Sequence, residues 1–218
     1  HATDANGAVA TWSGRLDVRD AAAGRGVISV NFGGPGSAFG RSLGAGAVPV
    51  SGWNHVVDGG PWRDAQGREV PAKIEGEMPG SRGTADLPGD PLDGDRFMLS
   101  TGLAPGSRGG WSLTVSGIPY TRYDVYLYPM PQSERVPAAQ GFTIGDRTLY
   151  LPGRLPAWGG GHVISRAGKP DDMPAGATCL LFEDMSGPAF TISTDKKSGS
   201  PRIAGFQIVE RTDTNKSQ

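Results

Sequence analysis

Residues 111–151 read WSLTVSGIPYTRYDVYLYPMPQSERVPAAQGFTIGDRTLYL, and this stretch decides the fold class of the chain. Four short segments in it alternate their side chains with the period of a strand and are rich in Val, Tyr, Leu and Thr: Ser112–Val115, Tyr123–Tyr128, Phe142–Ile144 and Thr148–Leu151. Gly117-Ile118-Pro119 separates the first two, and Gly145-Asp146 separates the last two at hairpin spacing. The stretch therefore predicts antiparallel β structure, in which function resides in loops and on sheet faces.

Further strands are predicted on both sides of this stretch: Gly26–Phe32, Ala47–Val50, Trp53–Val57, Val70–Ile74, Val163–Ser165, Thr178–Glu183, Ala189–Thr194 and Ile203–Val209. Residues 79–95 and 152–176 are rich in turn-forming residues, which predicts long loops. Arg41–Ala47 and Arg96–Thr101 are expected to form at most one turn of helix each. This spacing predicts an all-β chain, an antiparallel two-sheet β-sandwich or jelly roll with little or no helix.

The same pattern divides the chain into three segments. Residues 1–25 are weakly patterned and are expected to form an N-terminal extension or an edge strand. Residues 26–210 are expected to form a single β-sandwich domain, because their alternating apolar faces can bury one another. Residues 211–218 are predicted to be a polar tail.

The composition restricts the function classes open to the chain. The 35 glycines and 18 prolines among 218 residues fit a β domain with many tight turns, since five tryptophans argue against disorder. The net charge is −1 and no block of like charge occurs, which argues against nucleic-acid binding. No apolar run approaches the ~18 residues of a membrane span. The single Cys179 lies in an apolar run and is expected to be an inert core thiol.

Five sequence blocks occur in an order that resembles a known group of modules: Ile28-Ser29-Val30-Asn31-Phe32-Gly33-Gly34, Ala47-Val48-Pro49 with Trp53-Asn54, Val115–Pro119 with Tyr123–Tyr128, Phe142–Gly145, and Ile203–Val209. Together they resemble the extracellular β-sandwich modules of large secreted or surface proteins of planctomycete-type bacteria. The Tyr123–Tyr128 and Ile203–Val209 strands are also similar to those of galactose-binding-like and malectin-like sandwiches. The resemblance implies an extracellular, secreted or cell-surface location, neighbouring domains in a parent protein, and sugar binding by analogy of fold.

Two tryptophans stand in stretches that the sequence predicts to be loops. Trp62 lies within residues 59–64, and Trp158 precedes three glycines. An aromatic ring can stack on the C–H face of a sugar while adjacent polar groups bind its hydroxyls. The polar residues expected to do this beside the two tryptophans are Asp58, Arg63, Asp64 and Asp95. The alternative is that each tryptophan closes one end of the sandwich core.

A run of acidic residues offers oxygen ligands for a calcium ion. Asp86, Asp90, Asp93 and Asp95 fall within ten residues in a glycine-containing loop, and calcium prefers several carboxylate and carbonyl oxygens. The first three are the expected metal ligands, although their spacing differs from that of an EF-hand. The alternative is a solvated loop whose aspartates form local turns with their own backbone.

Histidine at the first position of the sequence suggests a copper site. His1 would supply an amino group and an imidazole, and His55 or His162 would supply a second imidazole, as in the copper brace of polysaccharide monooxygenases. Zinc-protease His-Glu-x-x-His and phosphate-binding Gly-Lys-Ser/Thr motifs do not occur in the sequence.

The sequence therefore favours a non-catalytic carbohydrate-binding module of a larger extracellular protein, which binds polysaccharide through loop aromatics. Two alternatives stay open at this point. One is a structural or adhesion module without a sugar pocket, and the other is a copper-dependent polysaccharide monooxygenase that uses His1. No cofactor is expected under the favoured hypothesis, apart from the calcium ion considered above.

Overall fold

A computed structural model of the chain describes residues 2–3, 9–10, 24–33, 44–56, 60–76, 81–84, 93–104, 110–130, 138–154, 160–194 and 201–212. These residues form an all-β, sandwich-like fold with one short helix, α1 (Gly94–Ser100), and a 3-10 turn at Pro170–Asp172. The strands are β1 (Ala2–Thr3), β2 (Val9–Ala10), β3 (Val27–Asn31), β4 (Asn54–His55), β5 (Trp62–Arg63), β6 (Glu69–Val70), β7 (Lys73–Glu75), β8 (Ser81–Thr84), β9 (Thr101–Ala104), β10 (Ser112–Ser116), β11 (Arg122–Pro129), β12 (Ala139–Ile144), β13 (Arg147–Pro152), β14 (Ile164–Ser165), β15 (Cys179–Ser186), β16 (Ala189–Ser193) and β17 (Ile203–Glu210).

The larger sheet contains β14, β15, β11, β17, β3 and β4 in that order. β17 lies in its interior, where Phe206 pairs with Leu127 of β11 and with Val30 of β3. The β8–β9 ribbon joins the beginning of β17 through the pairing of Leu103 with Ile203. Among the described strands, the end strands β14 and β4 run parallel to their neighbours, and the other pairings in this sheet are antiparallel. β4 therefore forms one edge of the larger sheet.

The smaller sheet is antiparallel, with the order β13, β12, β16, β10, β7. Its strands alternate buried apolar and outward polar side chains, as β10 does with Leu113 and Val115 inward. On the outer face, the hydroxyls of Thr114 and Thr191 join neighbouring strands at 2.8 Å. One face of this sheet therefore contributes to the core and the other carries polar side chains, as is common in antiparallel sheets.

The main core fills the space between the two sheets. Phe206 lies in it, and the centroid of its ring is 5.9 Å from that of Phe32, 6.1 Å from that of Trp62 and 6.1 Å from that of Phe190. Aromatic side chains bury large areas and prefer tilted or edge-on contacts at such separations. This cluster therefore joins β17 and the residue that follows β3 in the larger sheet to β16 of the smaller sheet and to the β5–β6 ribbon.

The opposite face of the larger sheet is also covered. Helix α1 and residues 44–53 pack there. With Val27 and Val209 of the sheet, they form a second apolar cluster, to which α1 contributes Met98. The side chain of Asp93 caps α1, because its Oδ1 accepts hydrogen bonds from the amides at positions 95 and 96. Since both of its faces are covered, β17 is an almost continuous apolar run rather than an alternating one.

Four buried or half-buried polar side chains hold residues 44–48 onto this face, and we call Asp95, Tyr128, His162 and Gln207 the polar clasp. The Gln207 carboxamide donates to the carbonyl of Val48 at 2.8 Å and accepts from the Tyr128 hydroxyl at 2.5 Å. Asp95 Oδ1 accepts from the Gly46 amide at 2.6 Å and lies 2.9 Å from His162 Nε2. The clasp therefore satisfies polar groups that would otherwise be buried without partners.

The observed elements confirm the predicted all-β fold and correct several details. Residues 79–95 were expected to be loop, but residues 81–84 form β8 because they pair with β9. Helix α1 has seven residues rather than a single turn, since Asp93 caps it and Met98 and Leu99 are buried. Residues 47–50 form a turn closed by the Ala45–Val50 bridge instead of a strand.

Candidate functional site

A groove of about 430 Å³ opens beside β4 at the edge of the larger sheet. The residues that line it come from two stretches: Ser51, Gly52, Trp53, Asn54, His55, Gly60, Pro61, Trp62, Arg63, Asp64, Ala65 and Gly67. Concave sites with apolar walls and a few fixed polar groups are the usual places where proteins bind small molecules. The groove brings together three of the residues that the sequence predicts to bind ligand, namely Trp62, Arg63 and Asp64.

Asn54 joins the two stretches that form the groove. Its Oδ1 accepts the Arg63 amide at 2.7 Å, and its Nδ2 donates to the Arg63 carbonyl at 2.8 Å and to the Ser29 carbonyl at 2.9 Å. The carboxamide thus makes with Arg63 of β5 the pair of hydrogen bonds that the backbone of a neighbouring strand would make. The length of the Asn54 side chain separates β5 from β4. Asn54 therefore sets the position of Arg63 on the groove wall.

Arg63 contributes an exposed cation to the groove. Its side chain is 53% exposed, and its Nη1 donates to the carbonyl of Gly67 at 2.8 Å. Its Nη2 donates to Glu69 Oε1 at 2.5 Å, and the Glu69 side chain is 58% exposed. A guanidinium has five N–H donors, so Arg63 can bind further acceptors without losing these contacts.

Trp62 was predicted to be a loop aromatic, and the structure corrects this placement. It lies on β5, is 7% exposed, and packs edge-on against Phe206 in the main core. Trp53 is also buried: it is 3% exposed and donates its Nε1 to the Val50 carbonyl at 3.2 Å. The two tryptophans that line the groove are therefore almost completely buried.

Asp64 was predicted to bind sugar hydroxyls, but its carboxylate is occupied within the β5–β6 turn. Its side chain is 3% exposed, and Oδ1 accepts the amides of Gln66 and Arg68, both at 2.9 Å. Oδ2 accepts from Arg68 Nε at 2.7 Å. These contacts close the turn, since an Asp side chain can satisfy the backbone two residues on.

Asp95 lies apart from the groove, in the polar clasp in the first turn of α1. Asp93, a predicted calcium ligand, serves as the cap of that helix. Within the described residues, no group of three or more His, Cys, Asp or Glu side chains is placed to hold a metal ion. The other expected residues, Asp58, Asp86, Asp90 and Trp158, lie outside the described residues.

Of the three histidines considered for copper, the two described ones, His55 and His162, have different surroundings. His1 lies outside the described residues, and His55 lies on β4 at the groove. The His162 side chain is 3% exposed, with Nε2 2.9 Å from Asp95 and Nδ1 3.3 Å from the Thr178 hydroxyl. Its ring also packs on Tyr128, with a centroid separation of 5.0 Å. Both ring nitrogens of His162 are thus engaged with protein groups.

Two positions, Cys179 and Ser42, carry side chains of the kind that act as nucleophiles in enzymes. Cys179 is buried as predicted, and burial raises the pKa of its thiol to about 12, which keeps it protonated at neutral pH. Residues 40–44 read Gly-Arg-Ser-Leu-Gly, the spacing of a nucleophile elbow, and residues 40–43 lie outside the described residues. That elbow belongs to a strand-to-helix turn in an α/β sheet, which differs from this all-β fold.

Asn54, Tyr128 and Gln207 were not identified from the sequence as functional or structural centres, and Asp95 and His162 were assigned roles other than the polar clasp. A signal existed for Gln207, because it is a polar residue inside the apolar run of residues 203–209. Nothing in the sequence around Asn54 distinguishes it, since its role depends on where β5 lies.

The chain matches no protein-family model, no curated protein sequence and no solved structure. Within the described part of the chain, no helix is long and apolar enough to cross a membrane. The case for a function therefore depends on the geometry of the groove.

Proposed function

We propose that the protein is a non-catalytic carbohydrate-binding module of a larger extracellular protein, and that the groove beside β4 holds the sugar. The observation that carries the proposal is the combination of two tryptophans, Trp53 and Trp62, and the fixed, exposed guanidinium of Arg63 in the lining of one groove. Sugars present C–H faces to apolar walls and hydroxyls to hydrogen-bond donors. An extracellular or cell-surface setting belongs to the proposal, because that is where structural polysaccharides occur.

The volume and rigidity of the groove support this proposal. About 430 Å³ falls within the range of small-ligand sites, so one or two sugar rings would fit. Asn54 fixes the Arg63 backbone through two hydrogen bonds, so a ligand would not have to order that segment on binding.

Affinity gel electrophoresis with a panel of soluble polysaccharides tests the proposal. We expect retardation in at least one gel and its loss in Arg63→Ala. Arg166→Ala is the matched control, because the Arg166 side chain is also 53% exposed and pairs with an exposed glutamate, Glu183. Migration unaffected by every polysaccharide would contradict the proposal, as would equal retardation of the two variants. Trp158→Ala tests the remaining predicted aromatic in the same gels.

A second candidate is a structural or adhesion module that positions neighbouring domains. The burial of Trp62 favours it, because a tryptophan used in the core leaves little of its face for stacking on a sugar. This candidate predicts that no polysaccharide of the panel retards the protein.

A further inference from the structure

We propose that the groove prefers carboxylate-bearing sugars, namely uronates, and that Arg63 binds the carboxylate; this inference rests on the proposed carbohydrate function of the groove. Arginine presents a planar fork of donors that matches a carboxylate in bidentate geometry. A neutral sugar would use only part of that capacity.

The charges that line the groove support an anionic ligand. Among the lining residues that the structure describes, Asp64 is the one acid, and its carboxylate is 3% exposed and bonded to Arg68. Arg63, by contrast, has a side chain that is 53% exposed. Among the described residues that line the groove, a ligand therefore meets an exposed cation and no exposed carboxylate, while the exposed carboxylate of Glu69, outside this lining, is paired with Arg63.

Both the backbone and the guanidinium of Arg63 are held in place by hydrogen bonds. The Asn54 carboxamide bonds to its amide and carbonyl, and the Gly67 carbonyl accepts from Nη1. A long side chain that is already ordered loses less conformational entropy when it binds a ligand. This arrangement distinguishes Arg63 from an arginine that is merely exposed.

Glu69 is the competitor for the Arg63 guanidinium. The two form an exposed ion pair at 2.5 Å, and exposed pairs contribute little to stability. A uronate carboxylate would therefore share or replace this contact at small cost. It follows that removing the charge of Glu69 should strengthen binding of an acidic sugar and leave binding of a neutral sugar unchanged.

Isothermal titration calorimetry with oligogalacturonate and with xylo-oligosaccharide tests the inference on the full chain. We expect oligogalacturonate to bind more tightly, with an affinity that falls as salt increases. Arg63→Ala should weaken it about 10- to 100-fold, the range for a lost hydrogen bond to a charged group. Arg63→Lys should retain part of the affinity because it keeps the charge but loses the fork.

Glu69→Gln is the sharper variant, because it should raise the affinity for oligogalacturonate about two- to fivefold, the value of an exposed ion pair. Glu183→Gln, which removes the partner of Arg166, is its control and should change nothing. Circular dichroism and melting curves show whether each variant is folded.

The outcomes separate the two proposals. Equal or tighter binding of xylo-oligosaccharide, lost in Arg63→Ala, would overturn the uronate preference and retain the carbohydrate site. Binding of oligogalacturonate that Arg63→Ala leaves unchanged would overturn the role of Arg63. No binding of either sugar, together with no retardation by the polysaccharide panel, would overturn both.

Discussion

The groove and the polar clasp both gather polar side chains around the larger sheet, but they differ in exposure. In the clasp, Gln207 is 0% exposed and its carboxamide bonds only to protein groups in the described structure. At the groove, the side chain of Arg63 is more than half exposed, as is that of its partner Glu69. A buried, satisfied network stabilises the fold, whereas exposed charges contribute little to stability and remain accessible to a ligand. The comparison predicts that variants of the clasp change stability and that variants of the groove change binding.

The largest expected effect is on the clasp. Gln207→Leu would leave the Val48 amide and carbonyl, the Ser29 hydroxyl and the Tyr128 hydroxyl without this partner. We expect a loss of about 3 kcal/mol in the free energy of unfolding, since buried polar groups without partners are costly. Urea denaturation measures this, and sugar binding by the folded fraction should be unchanged. A loss below about 1 kcal/mol would show that residues 44–48 do not depend on the clasp.

Alkaline pH should weaken the same covered face. Burial raises the pKa of Cys179 to about 12, and burial also raises the pKa of Tyr128 and Tyr126, which lie near it. Above the unfolded thiol pKa of 9.0, the unfolded chain loses a proton that the folded chain keeps, so stability falls as pH rises. The expected slope is about 1.4 kcal/mol per pH unit for Cys179 between its unfolded and folded pKa.

Urea denaturation at a series of pH values from 8 to 11 checks this slope. In Cys179→Ala the decline should begin later, where the tyrosines start to ionise in the unfolded chain. A stability that stays constant over this range in the parent protein would refute the assigned burial of the thiol.

Asn54 lines the groove, but its substitution should affect both stability and binding. Its carboxamide bonds to β3 through Ser29 and to the ligand-binding candidate Arg63. Asn54→Ala removes three hydrogen bonds between its carboxamide and the backbone of Ser29 and Arg63. We expect a loss of about 1–2 kcal/mol in the free energy of unfolding and a weaker affinity for any sugar held by Arg63. Denaturation and calorimetry on one preparation measure both. A variant that loses stability but keeps full affinity would show that Arg63 needs no such support.

The smallest expected effect on stability is at Arg63 itself. Arg63→Ala should change the free energy of unfolding by no more than about 0.5 kcal/mol, because its ion pair is exposed. An equally small change in the free energy of unfolding for Arg166→Ala would confirm that the two arginines contribute equally to stability. A large destabilisation by Arg63→Ala alone would place Arg63 among the structural residues and remove it from the comparison.

The strands of the core could be predicted from the sequence because their patterns are local. The alternation in residues 112–116 and the apolar run in residues 203–209 correspond to β10 and β17. β8 could not be predicted, because Ser81–Thr84 contains no apolar pattern and is a strand only through its pairing with β9. Its structure is imposed by tertiary context rather than by side-chain periodicity.

The candidate site was predicted in part. Residues 62–64 were identified because an aromatic and two charged residues are adjacent in sequence, and all three line the groove. Their individual roles depend on distant residues: Phe206 buries Trp62, and the backbone at positions 66 and 68 occupies Asp64. Asn54 contributes through contacts nine residues away with Arg63, which no local pattern indicates.

The most direct test of the account is to locate the bound sugar on the folded chain. Amide chemical shifts followed by nuclear magnetic resonance during titration with oligogalacturonate would report the surface that the sugar contacts. The account predicts shifts confined to residues 51–56 and 60–67, abolished in Arg63→Ala and unaffected by Arg166→Ala. Shifts centred on the outer face of the smaller sheet, around Thr114 and Thr191, would contradict it, because the groove would then not be the binding site.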